Sequence, residues 1–288
     1  MSTRGAQPAV SVVIRARDQA SRLPRLLNAL DAQTLSTEHR QVIVVDGGSQ
    51  DDTVARARAA GAEVVELSAA QWSYGAAINR GAEVSRAPIL ALISAHALPP
   101  DSAWLERLAR WLEDPRVCAV SGDSHGPGNL PLPGPWRQNL AAMRRDPFWG
   151  FSATGGGLRR ELWEQRRFRE DLPMTEDREW ARYWLQQGYE VVIDPGLLVA
   201  TDYGRRGPVR HYRRARSEYA GYAMFSDLPP YGPGDLLREW WSGRGYHRSQ
   251  LRARVDPRRA GRLLGAYRGR RSVSPTPSTA RDRSPTGH

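Results

Sequence analysis

The chain has 288 residues, 40% of them hydrophobic and 25% charged, and its 42 Lys and Arg against 31 Asp and Glu give a net charge of +11. That composition excludes a fibrous or wholly disordered protein, and the length suits one catalytic domain with a short appendage. No stretch approaches the roughly 18 to 20 apolar residues that a membrane span needs, residues 1–10 have no apolar core of the signal-peptide kind, and the lone Cys118, in an apolar run, excludes a disulfide framework. The expected location is the cytoplasm. The basic charge suits nucleic acid, an anionic membrane surface or an anionic substrate, and does not choose among them.

In chain order, residues 10–14 read as a strand, 21–32 as a helix, 41–46 as a strand and 52–60 as a helix stopped by Gly61. A strand over 63–67, a helix over 75–84 and a strand over 88–94 follow. Repeated strand–helix units predict an α/β fold, a mainly parallel sheet with helices on both faces. Ligands of such sheets bind at the carboxyl ends of the strands, so the segments 15–18, 46–52 and 94–99 are where functional residues are expected.

Next comes a helix over 102–112, with Trp104, Leu105, Leu108, Trp111 and Leu112 on one face, and then a Gly- and Pro-rich stretch, 122–147, of irregular connections. A helix over 176–187 stops at Gly188 and leads into a strand over 189–193. Residues 236–271 are basic with interspersed Trp240, Trp241, Leu251, Leu263, Leu264 and Tyr267, the pattern of short amphipathic helices. Residues 272–288 have almost nothing apolar and are expected to be disordered. The expected organisation is a flexible N-terminus over 1–9, a catalytic domain over 10–235, a basic helical extension over 236–271 and a tail over 272–288.

The most informative segment is Val42-Ile43-Val44-Val45-Asp46-Gly47-Gly48-Ser49-Gln50-Asp51-Asp52-Thr53. An acidic side chain at a strand end, followed by glycines and a helix start, accepts a hydrogen bond from a nucleobase while the backbone comes close. The same residues also read as a capped helix, Ser49 and Asp52 fitting the capping pattern and Asp46 merely closing the turn; the two readings combine if Ser49 caps and Asp46 binds.

This segment resembles the "VVDDGSxDDT" of family 2 glycosyltransferases, and Val10-Ser11-Val12-Val13-Ile14-Arg15-Ala16-Arg17-Asp18 is similar to that family's "VSVVIPxYN". The resemblance runs from about residue 10 to 221 and implies a GT-A-like fold and an inverting, nucleotide-sugar-dependent glycosyltransferase. It implies that Asp46 contacts the base of a UDP-, dTDP- or GDP-sugar, with Arg15 and Asp18 lining the same pocket; Gly47 stands where the family often has a second aspartate. Asn79 and Arg80 look like the family's "ARNxG" helix beside the donor, although an ordinary polar helix position explains Asn79 as well.

The family's metal-binding D-x-D aligns with Ser94-Ala95-His96, a departure from the pattern. Rhamnosyltransferase-like members have a "QDAxP" arrangement whose aspartate falls at His96, which points to that subgroup. Ser94 is then expected beside the donor, and His96 as a ligand for Mn²⁺ or Mg²⁺, with a purely structural turn residue as the competing reading of His96. Phe168-Arg169-Glu170 and Thr175-Glu176-Asp177 are similar to the family's "pFdE" and "TED", which implies that Asp177 is the general base. The residues agree, because a carboxylate in a first helical turn is held ionised by the helix dipole. Glu176, Trp149 and Trp180 are candidates for the acceptor side, and His211, Asp202 and Tyr203 compete for a further polar role.

The acceptor class stays open among a glycan, a lipid-linked glycan and a small molecule, with peripheral contact at the inner face of the membrane as an accompanying expectation. A different class of protein, a catalytically degenerate binding module using its basic surface on nucleic acid or anionic lipid, fits the altered D-x-D. The absence of a recognised nucleic-acid motif counts against a nucleic-acid partner.

Overall fold

The computed structural model describes residues 8–126, 130–202, 207–226, 228, 231–242 and 256–272. The N-terminus expected to be flexible and the tail expected to be disordered fall, apart from Pro8, Ala9 and Ser272, outside the described residues, as do Tyr203 and Leu251. The chain divides into two compact units, Met1–Gly204 and Arg205–His288.

In the first unit, β1 (Val10–Ala16) is buried at every position, the signature of a strand covered on both faces. It pairs in parallel with β2 (Arg40–Asp46) on one side and β4 (Ile89–Ser94) on the other, and β2 pairs in parallel with β3 (Glu63–Glu66). Beyond β4 the sheet becomes mixed. β8 (Gly155–Arg159) runs antiparallel between β4 and β6 (Val117–Ser121), then β9 (Glu190–Ile193) pairs in parallel with β6 and β7 (Trp136–Gln138) closes the edge antiparallel. Among the described residues the order is β3-β2-β1-β4-β8-β6-β9-β7, and a ribbon of β5 (Ala97–Leu98) with β10 (Ala200–Thr201) stands apart.

The side-chain period of two sorts the core. Val13 of β1 packs into one cluster with Ala77 and Ile78 of α3 (Tyr74–Val84) and Trp180 and Trp184 of α7 (Glu176–Gln186). Val12 and Ile14 pack into the other, with Leu23, Leu26, Leu27 and Leu30 of α1 (Leu23–Asp31) and Trp104, Leu105 and Leu108 of α4 (Trp104–Leu112). Each fully buried leucine here contributes about 1.5–3 kcal/mol. Shorter helices α2 (Thr53–Ala59), α5 (Leu140–Arg145) and α6 (Arg160–Gln165) complete the unit.

The second unit contains α8 (Pro208–Ala223), α9 (Pro233–Ser242) and α10 (Pro257–Arg271). The division falls well before the compositional shift near residue 236, because α8 packs along α10. A Cβ at Gly261, Gly265 or Gly269 of α10 would strike the backbone carbonyls of Pro208, Tyr212 or Arg216 of α8, so the two helices lie side by side and parallel at close range.

Candidate functional site

Register places Ala16 beside Asp46 and Arg15 beside Ser94, so three sequence-predicted residues line up at the carboxyl edge of adjacent parallel strands. Arg15 lies on the Val13 face of β1 and is 9% exposed. Its Nη1 donates to Glu176 Oε1 at 3.0 Å, and its Nη2 donates to Ser94 Oγ at 3.3 Å and Ala153 O at 2.7 Å, while the guanidinium sits 5.5 Å from the centre of the Tyr74 ring. One cation thus ties β1, β4, the approach to β8 and α7 together.

Next along the helix, Asp177 is half-buried and accepts the Ala153 N–H through Oδ2 at 3.0 Å and the Arg178 N–H through Oδ1 at 2.8 Å. Thr175, just before α7, adopts φ +71°, a left-handed conformation costly for a β-branched residue and of the kind found where a site over-determines its backbone. Burial pushes the Glu176 carboxyl up to about 7; the Asp177 charge raises it further and Arg15 opposes both.

The second part of the edge is a laced pair of loops. Asp46 accepts the N–H groups of Gly48 at 3.0 Å and Ser49 at 2.8 Å through Oδ2, and the Ser49 hydroxyl through Oδ1. Ser49 Oγ in turn accepts the Asp18 N–H at 2.8 Å, and Asp18 Oδ1 accepts the Gln50 N–H at 2.8 Å. Asp51 continues the lacing by accepting from Ala20 N and from Thr53; these hydrogen bonds outweigh its desolvation and hold its carboxyl below the usual range. The turn needs φ +76° at Gly48. Ser49 therefore bridges loops and does not cap α2, whose N-cap residue is Asp52.

Gly47, the family's frequent second aspartate, has a structural reason to differ. A Cβ there would fall inside van der Waals contact of the Trp72 ring. Trp72 and Tyr74, which sequence reasoning passed over, thus border the Asp46 turn and Arg15; their ring centres lie 6.5 Å apart. Their signal was aromatic residues just before a helix start, weak until Gly47 and Arg15 are seen against them.

Four expectations are corrected. Asn79 is 1% exposed and saturated: Nδ2 donates to Phe168 O and Glu170 Oε1, both at 2.9 Å, while Oδ1 accepts from Trp163 Nε1 at 3.0 Å and Phe168 N at 3.1 Å. It fastens α3 to the 168–170 segment, with no hydrogen-bonding capacity left for a donor. Trp180 is fully buried, stacked on Phe168 at 5.3 Å with its indole N–H on Arg166 O, so it is core and not an acceptor platform. Trp149, 8% exposed, donates to His125 O at 2.7 Å and packs edge-on against Trp136, which also takes it out of reach of an acceptor. Glu176, 4% exposed, faces Arg15 rather than the acceptor side.

His96 sits in the turn between β4 and β5, half-buried. Antiparallel pairing of β5 with β10 brings Asp202 opposite it, the Asp202 N–H reaching His96 O at 2.9 Å, and the Asp202 carboxylate pairs with Arg22 at 3.2 Å. Among the described residues no group of three His, Cys, Asp or Glu is placed to hold a metal ion. His211 lies in α8, in the second unit. No helix of the described residues is long and apolar enough to cross a membrane.

Comparison with known proteins agrees with this architecture. The sequence profile of Glycosyl transferase family 2 matches residues 11–166, more than half of the chain. Over 121 residues the chain is 36% identical to glycosyltransferase AglE of Haloferax volcanii, covering 40% of this chain and 39% of that protein; the match thus spans well under half of the relative's length. Among solved structures, a mannosyltransferase from Pyrobaculum calidifontis in complex with GDP-Man and Mn²⁺ superposes with a TM-score of 0.63 at 21% identity, covering 93% of this chain and 76% of that one. Glucosyl-3-phosphoglycerate synthase from Mycobacterium tuberculosis, in complex with Mn²⁺ and UDP-Glc, gives 0.56 at 18% identity over 78% and 81%. At such identities these likenesses establish the GT-A-like fold.

Proposed function

We propose, for a chain that belongs to glycosyl transferase family 2 and is a glycosyltransferase, that it moves a hexosyl or deoxyhexosyl group from a nucleotide-diphosphate donor to an acceptor hydroxyl with inversion, Asp177 acting as general base. The observation that carries the reading is the convergence of Arg15, Ser94, Glu176 and Asp177 at the carboxyl edge of the parallel strands, beside the Asp46 turn.

Asp177 takes the acceptor proton as the acceptor oxygen attacks the anomeric carbon, and a single displacement inverts that carbon. The Ala153 and Arg178 N–H groups hold its carboxylate in place at the start of α7. Glu176 and Arg15 are positioning residues: they fix the first turn of α7 against β1 and β4. Asp46, with its turn, shapes the base pocket and leaves a UDP-, dTDP- or GDP-sugar as the donor. Trp72 and Tyr74 offer aromatic faces beside it, of the kind on which a nucleobase stacks. Glycan, lipid-linked and small-molecule acceptors, peripheral membrane contact and the rhamnosyltransferase-like subgroup complete the proposal.

Donors of two structural neighbours are bound with Mn²⁺. Here the residue that would hold a cation is His96, whose imidazole would supply one ring nitrogen, with diphosphate oxygens and water completing the shell. Such a cation would neutralise charge on the departing diphosphate. A degenerate binding module is the second reading, favoured by the full engagement of both Asp46 oxygens within its own turn. A thermal-shift panel of nucleotide sugars, followed by donor hydrolysis with Mn²⁺ and with chelator, separates them. Donor-dependent stabilisation with turnover supports the transferase, and neither effect across the panel sinks it.

A further inference from the structure

We propose that the second unit docks the protein on an anionic phospholipid bilayer through an arginine-rich surface with exposed apolar anchors. Residues 205–288 carry 19 arginines against 6 acidic residues, a net +13, whereas residues 1–204 carry 23 against 25, a net −2. The whole basic excess of the chain is therefore concentrated in the unit that lacks the candidate donor site.

Local packing explains how the charge is displayed. The close approach of α8 and α10 through Gly261, Gly265 and Gly269 leaves no room for side chains between them, and apart from the buried Arg259 and the half-buried Arg270 the arginines of both helices are exposed. Arg216 of α8 and Arg268 and Arg271 of α10 are exposed and line a cavity of about 590 Å³ with Tyr212, Tyr267 and Ser272. Among the described residues no acidic one lines it. Arg271 donates to the Tyr267 hydroxyl at 2.8 Å, which holds one guanidinium at the rim. Guanidinium groups bind phosphate oxygens in pairs, which suits lipid headgroups.

Charge of this kind also suits nucleic acid. The apolar residues decide in favour of a bilayer. Leu237 and Trp241 of α9, four residues apart and so on one helical face, are 60% and 62% exposed, and Leu264 of α10 is 46% exposed. Tryptophan and leucine beside arginines are the anchors of interfacial helices, where the rings and aliphatic groups enter the headgroup boundary while the cations meet phosphate. No helix of the described residues can span the bilayer, so the attachment is to its surface. The inference does not depend on the donor chemistry of the first unit.

The test is co-sedimentation of the full chain with vesicles of phosphatidylcholine plus phosphatidylglycerol, and of phosphatidylcholine alone. Binding is expected only to the anionic vesicles and should weaken with salt. Arg216→Ser, Arg268→Ser and Arg271→Ser together should weaken partitioning about a hundredfold, taking each arginine near the surface at its usual worth. The matching Arg→Lys triple variant, which keeps the charge, should retain most of it and controls for misfolding. Leu237→Ser with Trp241→Ser should weaken binding about tenfold, as expected when inserted apolar groups are lost. Equal binding to neutral vesicles, no binding to anionic ones, or loss of binding in the lysine variant that matches the serine variant would each overturn the proposal. So would tight binding to duplex DNA that the Leu237 and Trp241 substitutions leave unchanged, together with no vesicle binding.

Discussion

Arg15 and Glu176 stand 161 residues apart in sequence and meet at 3.0 Å, both side chains buried, with Asp177 the next residue on the helix. The pair fixes the helix that carries the proposed base to the strand whose end forms the candidate donor edge. Its energetics have a definite sign. The folded state holds the Glu176 proton up to about 7, against 4.5 for the ordinary carboxyl, because of burial first and the Asp177 charge second.

A group with a raised acid pKa stabilises the fold most below the unfolded value and loses that contribution as pH climbs to the folded one. The unfolding free energy of wild type relative to Glu176→Gln should therefore fall between pH 4.5 and about 7 and level off above. Urea unfolding of both proteins across that window reads it directly. A difference that stays flat shows that Glu176 titrates normally.

Removing the cation is the harsher change. Arg15→Met leaves the buried Glu176 carboxylate without its ion-pair partner and should cost about 3–5 kcal/mol near pH 8, the usual loss for breaking a buried pair. Below the Glu176 value the loss should shrink, since a protonated Glu176 no longer needs its partner. A penalty independent of pH would place the Arg15 contribution in packing alone.

Asn79→Ala should behave as a structural substitution. It strands the Trp163 indole N–H and the Phe168 backbone groups, buried partners whose loss costs about 1–3 kcal/mol each at most. Stability should fall by a few kcal/mol in thermal unfolding while donor affinity by calorimetry stays within about twofold once folded protein is counted. A selective loss of donor affinity with unchanged stability would restore Asn79 to the donor site.

Gly47→Asp, which would recreate the family's frequent second aspartate, should destabilise by about 1–3 kcal/mol, because its Cβ falls on the Trp72 ring. Adding Trp72→Ala should recover most of that loss, a coupling that a double-mutant cycle measures. Additive losses would mean the turn, not the tryptophan, excludes a side chain at 47.

Much of the first unit was legible from sequence because its signals are local. The alternating and β-branched runs gave β1, β2, β3, β4 and β9 within about two residues at their ends, and the glycines at 61 and 188 ended helices as expected. β8 was not legible. Its Gly155-Gly156-Gly157-Leu158-Arg159 has no strand propensity of its own, and it is a strand because β4 and β6 flank it. The site divided in the same way. Arg15, Asp46 and Ser94 were readable as strand ends, and Asp177 as a first-turn carboxylate. Asn79, Trp149 and Trp180 were misread because their partners lie between 12 and 91 residues away, distances over which spacing carries no information. Glu176 was misread for the same reason, its role depending on Arg15.

The general-base assignment of Asp177 is the centre of the account, and Asp177→Asn tests it most directly, keeping the Ala153 contact while removing the proton acceptor. With the donor that stabilises the protein in the thermal-shift panel, donor affinity should persist while transfer falls by roughly 10² to 10⁴, the cost of a lost general base. Transfer by the Asn variant at close to the wild-type rate, with the same donor and acceptor, would contradict it.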